Sequence, residues 1–296
     1  MGEKDTTEKL LEDYDEIFAD IINVLLFDGK EILTPGSLAP FGTRSQYKAD
    51  DGKIHEQERD IAKCWKNGKI MFAIFGLENQ TKADKLMPLR VLGYDGGTYK
   101  SQIVSKKKNI LPVVTLVLYY GREHWKTPTS LKKTISIPKE IDKYVNDYNI
   151  HVFEISWLSQ KQIKMFKSDF GVVADFFVNR RKDPNYIPRD RRKIKHIEEV
   201  LKLLSAFTGD YRYEEVLEDP DIREVDNMCE VFDRAWNGGK AEGKAEGKAE
   251  GKAEELFSLV QDGIISAEIA AKRMKVSVKK FEKLMNEAGY KMPEMV

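Results

Sequence analysis

The chain has 296 residues, 49 basic and 49 acidic side chains, and 41% hydrophobic residues. That length predicts one main domain with an appendage, and no run of eighteen apolar residues offers a membrane-spanning helix. Two cysteines, Cys64 and Cys229, without Cys-x-x-Cys spacing, argue against a disulfide framework or zinc site and fit a reducing cytoplasm. Met1-Gly2-Glu3-Lys4-Asp5 lacks the basic-then-apolar pattern of a signal peptide, and Gly2 with Thr6 is thin support for myristoylation.

The zero net charge is unevenly distributed. Residues 1–100 carry 14 basic and 18 acidic side chains, residues 101–200 carry 20 and 11, and the remainder 15 and 20. A basic middle between acidic ends can hold a phosphate backbone.

Residues 7–27 read as an amphipathic helix, with Leu10, Leu11, Tyr14, Ile17, Phe18, Ile21, Ile22, Leu25 and Leu26 at helical spacing. Asp28-Gly29 ends it, and the Pro- and Gly-rich stretch 34–43 reads as loop. Residues 69–77 predict a strand and 58–66 its hairpin partner across Asn67-Gly68, although Ile61, Ala62, Cys64 and Trp65 could equally form a helical stripe. A helix is expected over 83–104, with Gly96-Gly97 a possible interruption. Leu111 to Tyr120 has the continuous apolar character of a buried central strand. Another strand is expected at 150–157, then helices near 160–181 and 190–208. This order predicts an α/β fold with one mixed sheet and helical extensions.

From Lys240 to Gly251 the unit Lys-Ala-Glu-Gly repeats. No Glu lies three or four residues from a Lys, so helical ion pairs are lacking, and each interior Gly costs about 1 kcal/mol relative to Ala. A flexible spacer is one reading. The alternatives are a helix whose small stripes pack in a homo-oligomer, or codon slippage without either role. In the tail, 256–262 leads into Gly263, Ser266 caps 267–274, and Ser277 caps a last helix carrying Val278, Phe281, Leu284 and Met285. The two short helices resemble a helix-turn-helix, with no clear third helix to complete it.

The residues most suggestive of chemistry are Asp60, Glu78-Asn79-Gln80, Arg90 and Tyr94. Two carboxylates can hold a hard cation through oxygen, and Gln80 can orient a water. Arg90 and Tyr94 share one helix face, and Asp20 on the first helix is a further candidate acid. The hairpin makes a demand on this idea. A strict two-residue turn at Asn67-Gly68 sets Asp60 opposite Phe75 and sends Glu78 to the other face. A Gly68 bulge aligns the faces but leaves the acids about 13 Å apart on ideal strands. An even pairing sum or an extra bulge is therefore required. Each residue also has an ordinary structural explanation: Asp60 a solvated acid, Glu78 a strand end, Tyr94 a hydrogen-bonded ring under a sheet. His55, His124, His151 and His196 show no ligand spacing. The best phosphate-binding candidates are Arg180, Arg181, Lys182, Arg189, Arg191, Arg192, Lys193 and Lys195, with a solvated helix face the competing reading.

Asp60, Glu78-Asn79-Gln80 and Met87-Pro88-Leu89-Arg90-Val91-Leu92-Gly93-Tyr94 resemble the core of the PD-(D/E)XK nuclease superfamily. More closely, over about residues 8 to 235 and including Leu111 to Gly121, the chain resembles the Rpn family of recombination-promoting nucleases, whose members also carry the label "putative transposase". The resemblance implies a restriction-endonuclease-like mixed sheet flanked by helices, and a Mg²⁺-dependent DNA endonuclease, with Mn²⁺ as a substitute ion. It assigns Asp60 and Glu78 to the metal and Gln80 to the position often held by Lys. Here no Pro precedes Asp60, the first-helix acid has no secure match, and Gln lacks the charge of Lys. The implied organisation is a nuclease-like core with helical extension over 1–208, a helical connector over 209–237, the repeat over 238–254 and a helical module over 255–296. Expected partners are DNA and, through the repeat and tail, a second copy of the chain; no membrane is expected. The competing function is a catalytically weak DNA-binding or oligomeric adaptor on the same scaffold.

Overall fold

The computed structural model describes residues 11–42, 44–48, 54–106, 108–188, 191–218, 222, 225 and 227–291. Gly2, Thr6 and Arg189 lie outside them. The chain divides into two compact units, 1–232 and 233–296.

The first unit is α/β, built on a mixed five-stranded sheet in the restriction-endonuclease-like arrangement of strands and flanking helices. Helix α1 (Asp15–Phe27) buries Ile17, Phe18, Ile21 and Ile22, and ends where Asp28 and Gly29 turn left-handed at φ 51° and 78°. Asn23 fastens the following chain: its side-chain oxygen accepts from Leu33 N at 2.9 Å, and its amide donates to Leu33 O at 2.8 Å. Residues 11 and 12 are helical too, but a turn at 13–14 separates them from α1. The expected single helix over 7–27 is therefore broken, because Asp13 and Asp15 are held by Lys63 of the sheet.

The expected loop over 34–43 contains a short strand, β1 (Leu38–Pro40), which forms an edge of the main sheet. Two further strands that the sequence pattern did not suggest, β2 (Arg44–Lys48) and β3 (Ile54–Glu58), pair antiparallel as a separate ribbon. The main hairpin is β4 (Ile61–Asn67) and β5 (Ile70–Gln80), followed by α2 (Met87–Val104), β6 (Val113–Tyr119) and β7 (His151–Glu154). Sheet order is β1-β4-β5-β6-β7, antiparallel from β1 to β5 and parallel from β5 to β7. Residues 73–79 of β5 are buried without a break, as a central strand covered on both faces should be.

Several boundaries differ from expectation. Gly96-Gly97 leaves α2 uninterrupted. The last strand ends at Glu154 and tightens into a 3-10 turn over Ile155–Trp157. The expected helix at 160–181 is a single turn at Gln160–Ile163 and a separate helix, α3 (Phe170–Lys182). Its successor, α4 (Ile197–Thr208), begins seven residues later than expected, because Asp169 accepts the backbone N–H groups of Lys195 and His196 and holds that stretch out of the helix. Helix α2 covers one sheet face through Met87 and Val91 against Val117 and Ile150. Tyr120 meets Phe177 of α3 and Phe207 of α4 at ring separations of 5.2 and 4.7 Å.

The repeat lies within one long helix, α5 (Met228–Gln261), rather than in an irregular spacer. In the second unit its end supplies Leu256, Phe257 and Val260 to a core shared with α6 (Ala267–Met274) and α7 (Val278–Glu287). The third helix missing from the sequence reading is thus the end of α5. Ser277 caps α7 by accepting from Lys280 N, whereas Ser266 makes no such bond to α6. Among the described residues no helix is long and apolar enough to cross a membrane.

Candidate functional site

The hairpin meets the geometric demand in an unexpected way. Asn67 pairs with Ile70, so the turn residues are Gly68 and Lys69, not Asn67 and Gly68. The register then shifts between Trp65 and Lys66, where β5 carries Phe72 as an extra residue. From Trp65↔Ala73 to Ile61↔Leu77 every pair sums to 138. One more step of this ladder sets Asp60 opposite Glu78, which removes both the face mismatch and the 13 Å offset. Bulges of this kind let one extra residue re-aim everything beyond it.

Asp60 precedes β4, so it takes the place of a ladder partner: its Oδ2 accepts the main-chain N–H of Asn79 at 2.7 Å. Glu78 is 2% exposed, and its Oε1 accepts from Arg90 Nη2 at 2.5 Å and from Gln80 Nε2 at 3.3 Å. Arg90 also reaches Tyr94 Oη at 3.1 Å and Asp84 Oδ2 at 3.3 Å. Burial works against the Arg90 charge, but Glu78 and Tyr94 outweigh it and hold the guanidinium above its ordinary pKa. Burial, reinforced by the Glu78 charge, raises the Tyr94 phenol.

Alternation sends Asn79 to the other sheet face. There its amide donates to Glu12 Oε2 at 2.7 Å, and Tyr120 Oη donates to Glu12 Oε1 at 2.6 Å. Burial, opposed by these two hydrogen bonds, raises the Glu12 carboxyl to about 7. Glu12 escaped the sequence reading because the turn at 13–14 changes the helical phase; in an unbroken helix it sits off the apolar stripe. Since its folded pKa exceeds its unfolded value of about 4.5, the folded state binds the extra proton between those values. Stability from this group is therefore fully present below about pH 4.5 and lost as pH rises to about 7. Glu12→Gln is expected to remove this loss, flattening unfolding free energy against pH and gaining roughly 3 kcal/mol at pH 8. Urea titrations at pH 5 and pH 8 check this; an unchanged pH slope overturns it.

Beneath the site, buried Arg59 donates to Asp95 of α2 at 2.5 Å, and Asp95 also accepts from Thr115 of β6 at 2.6 Å and from Tyr148. Burial lowers the Arg59 pKa against the opposing pull of Asp95. Gly76 makes room for this arginine: a Cβ there would fall 2.4 Å from Arg59 Cδ.

The structure thus brings together Asp60, Glu78, Gln80, Arg90 and Tyr94, and adds Glu12, Asp84 and Tyr120. Asp20 joins none of these contacts; its carboxylate accepts from the backbone N–H groups of Lys167 and Ser168 at 2.8 and 2.7 Å, which gives it a loop-fixing role instead. The basic run does not form one strip. Arg181 bonds Ser156 O at 2.9 Å and lies 3.6 Å over the Trp157 ring. Arg180 lies over Phe176, and Lys182 ends α3. Arg191 is exposed, Arg192 donates to Gly171 O at 3.1 Å, and Lys193 lines a different cavity with Lys195. Lys195 pairs with Glu16.

For a hard cation the donor chemistry is suitable: carboxylate oxygens at neighbouring strand ends, with a carboxamide beside them. Among the described residues no group of three or more His, Cys, Asp or Glu side chains gathers to hold a metal, so the donors on hand are the pair Asp60 and Glu78.

Comparison with known proteins gives one family match. Residues 64–179 match the model described as "Putative transposase, YhgA-like". The matched stretch contains Glu78, Gln80, Arg90 and Tyr94 and begins four residues after Asp60. No curated protein matches the chain. No solved structure matches it either.

Proposed function

From the match of residues 64–179 to the YhgA-like putative transposase model, we propose that the chain is a divalent-metal-dependent DNA endonuclease acting in recombination or mobile-element biology. The observation that carries this reading is the hairpin register, which aligns Asp60 with Glu78 two residues before Gln80. Asp60 and Glu78 would hold Mg²⁺, or Mn²⁺ in its place, and the bound ion supplies charge neutralisation at the phosphodiester and a more acidic water. Asp60 is oriented by the Asn79 N–H, and Asn79 is held in turn by Glu12. Gln80 orients the attacking water through its carboxamide. Arg90, 39% exposed and already in reach of Asp84, can leave Glu78 for Asp84 and turn its guanidinium to a phosphate oxygen. It thereby provides the positive charge that Gln80, standing where many nucleases have Lys, does not.

The test is nicking of supercoiled plasmid in Mg²⁺ by wild type and by Glu78→Ala. Nicking by the wild type that disappears in the variant supports the endonuclease. Equal nicking by both, or none by the wild type in Mg²⁺ or Mn²⁺ on duplex and single-stranded substrates, sinks it.

A second reading, a DNA-binding adaptor without catalysis, is favoured by the closed Glu78–Arg90 pair and by the small carboxylate set. It predicts salt-sensitive DNA binding that survives both Asp60→Ala and Glu78→Ala.

A further inference from the structure

A second concave site opens where β5 and β6 end. Thr81 follows Gln80, and the Tyr120 N–H donates to Gln80 O at 2.9 Å, so the carboxyl ends of two parallel strands meet there. The cavity, about 260 Å³, is lined by Thr81, Tyr120, Arg122, Arg180, Arg181 and Thr208 among others, and among the described residues its wall holds no carboxylate. Three arginines without an acid give a concentrated positive potential in a concave site.

The arginines differ in how they are held. Arg181 is fixed by its bond to Ser156 O and its stacking on Trp157. Among the described residues, Arg122 and Arg180 make no hydrogen bond or ion pair. Asp210, the acid that feels the Arg180 charge, is itself engaged by Arg212 at 2.6 Å. One preset guanidinium, two adaptable ones and the hydroxyls of Thr81 and Thr208 suit a tetrahedral oxyanion, for which Arg forks are the preferred partner. The volume falls below the roughly 300–1,000 Å³ of ordinary small-molecule sites, as fits one group rather than a whole ligand.

We propose that this cavity is a phosphate pocket, holding one phosphate group of a nucleic-acid strand beside the Asp60–Glu78–Gln80 constellation. The proposal rests on the nucleic-acid reading above, but not on cleavage. The phosphate is either a strand's 5′-terminal monoester or an internal diester.

The test is fluorescence anisotropy of the full chain with a short single-stranded DNA, 5′-phosphorylated or 5′-hydroxyl, in EDTA so that no cleavage occurs. Arg122→Ala/Arg180→Ala is expected to weaken binding about tenfold and to make the log–log salt slope shallower by about one to two. The control Lys66→Ala/Lys69→Ala, which removes two charges at the turn end of the hairpin, is expected to stay within about twofold. Inorganic phosphate should displace DNA from the wild type better than chloride at equal ionic strength, a result independent of how the variant folds. If a 5′-phosphate strengthens binding to the wild type only, the pocket takes a strand end; if both strands bind alike and the variant weakens both, it takes an internal phosphate. An unchanged variant, an equal loss in the control, or no DNA binding by the wild type overturns the pocket. Nicking that fails while Arg122- and Arg180-dependent binding persists rejects the endonuclease and leaves the pocket standing.

Discussion

Arg59→Met is expected to lower the unfolding free energy by roughly 3–5 kcal/mol, the usual cost of removing one partner from a buried ion pair. Asp95 would keep its bonds from Thr115 and Tyr148 but lose the charge that balances it. Met fills much of the same volume, so the cost reports the stranded carboxylate rather than a cavity. The double variant Arg59→Met/Asp95→Leu should recover part of the loss, since apolar replacement of a whole buried pair is often nearly neutral. Urea unfolding at neutral pH measures both. A loss below about 1 kcal/mol for the single variant shows that the pair does not anchor the fold.

The second large effect concerns cleavage. Asp60→Ala and Glu78→Ala are each expected to reduce plasmid nicking by about 10³-fold, and the double variant should be little worse than either single one. Groups that act as a unit behave this way, because losing one member already disables the rest. The structural basis is the hairpin register, which one step beyond Ile61↔Leu77 sets Asp60 opposite Glu78, with the Asn79 N–H donating across to Asp60. If the two losses multiply, the carboxylates work independently and the two-carboxylate centre is wrong. Circular dichroism must accompany the rates, since Asp60 also satisfies a backbone donor.

Much of this side-chain arrangement was legible in the sequence because strand parity is strict. A side-chain period of two allows a hairpin either to align Asp60 with Glu78 or to separate them, and the required correction could be stated in advance. Which residue would supply it could not. Phe72 enters β5 as the extra residue and the turn slides to Gly68-Lys69, choices that depend on packing across the sheet rather than on local propensity. Glu12 was hidden for a related reason, since the turn at 13–14 is imposed by Lys63 from a strand fifty residues away. The ribbon of β2 and β3 has little apolar alternation to announce it: Arg44-Ser45-Gln46-Tyr47-Lys48 and Ile54-His55-Glu56-Gln57-Glu58 are mostly polar. The basic run looked continuous because the sequence cannot show that Asp169, Glu16 and Gly171 each draw part of it to a different place.

The buried Arg59–Asp95 pair has a consequence for how such a protein can age. It joins the segment before β4, the helix that carries Arg90 and Tyr94, and β6, so it preserves the frame whether or not the carboxylates are used. Glu78 and Gln80 lie at the carboxyl end of β5 and Arg90 on α2, outside that pair's hydrogen bonds. On the proposed endonuclease reading, drift that erased catalysis by exchanging these residues would leave the scaffold intact and selectable for another purpose, whereas drift at Arg59 would cost the buried pair on which the frame depends. Descendants that have lost the reaction should therefore keep Arg59, Gly76 and Asp95 while varying at Glu78 and Gln80.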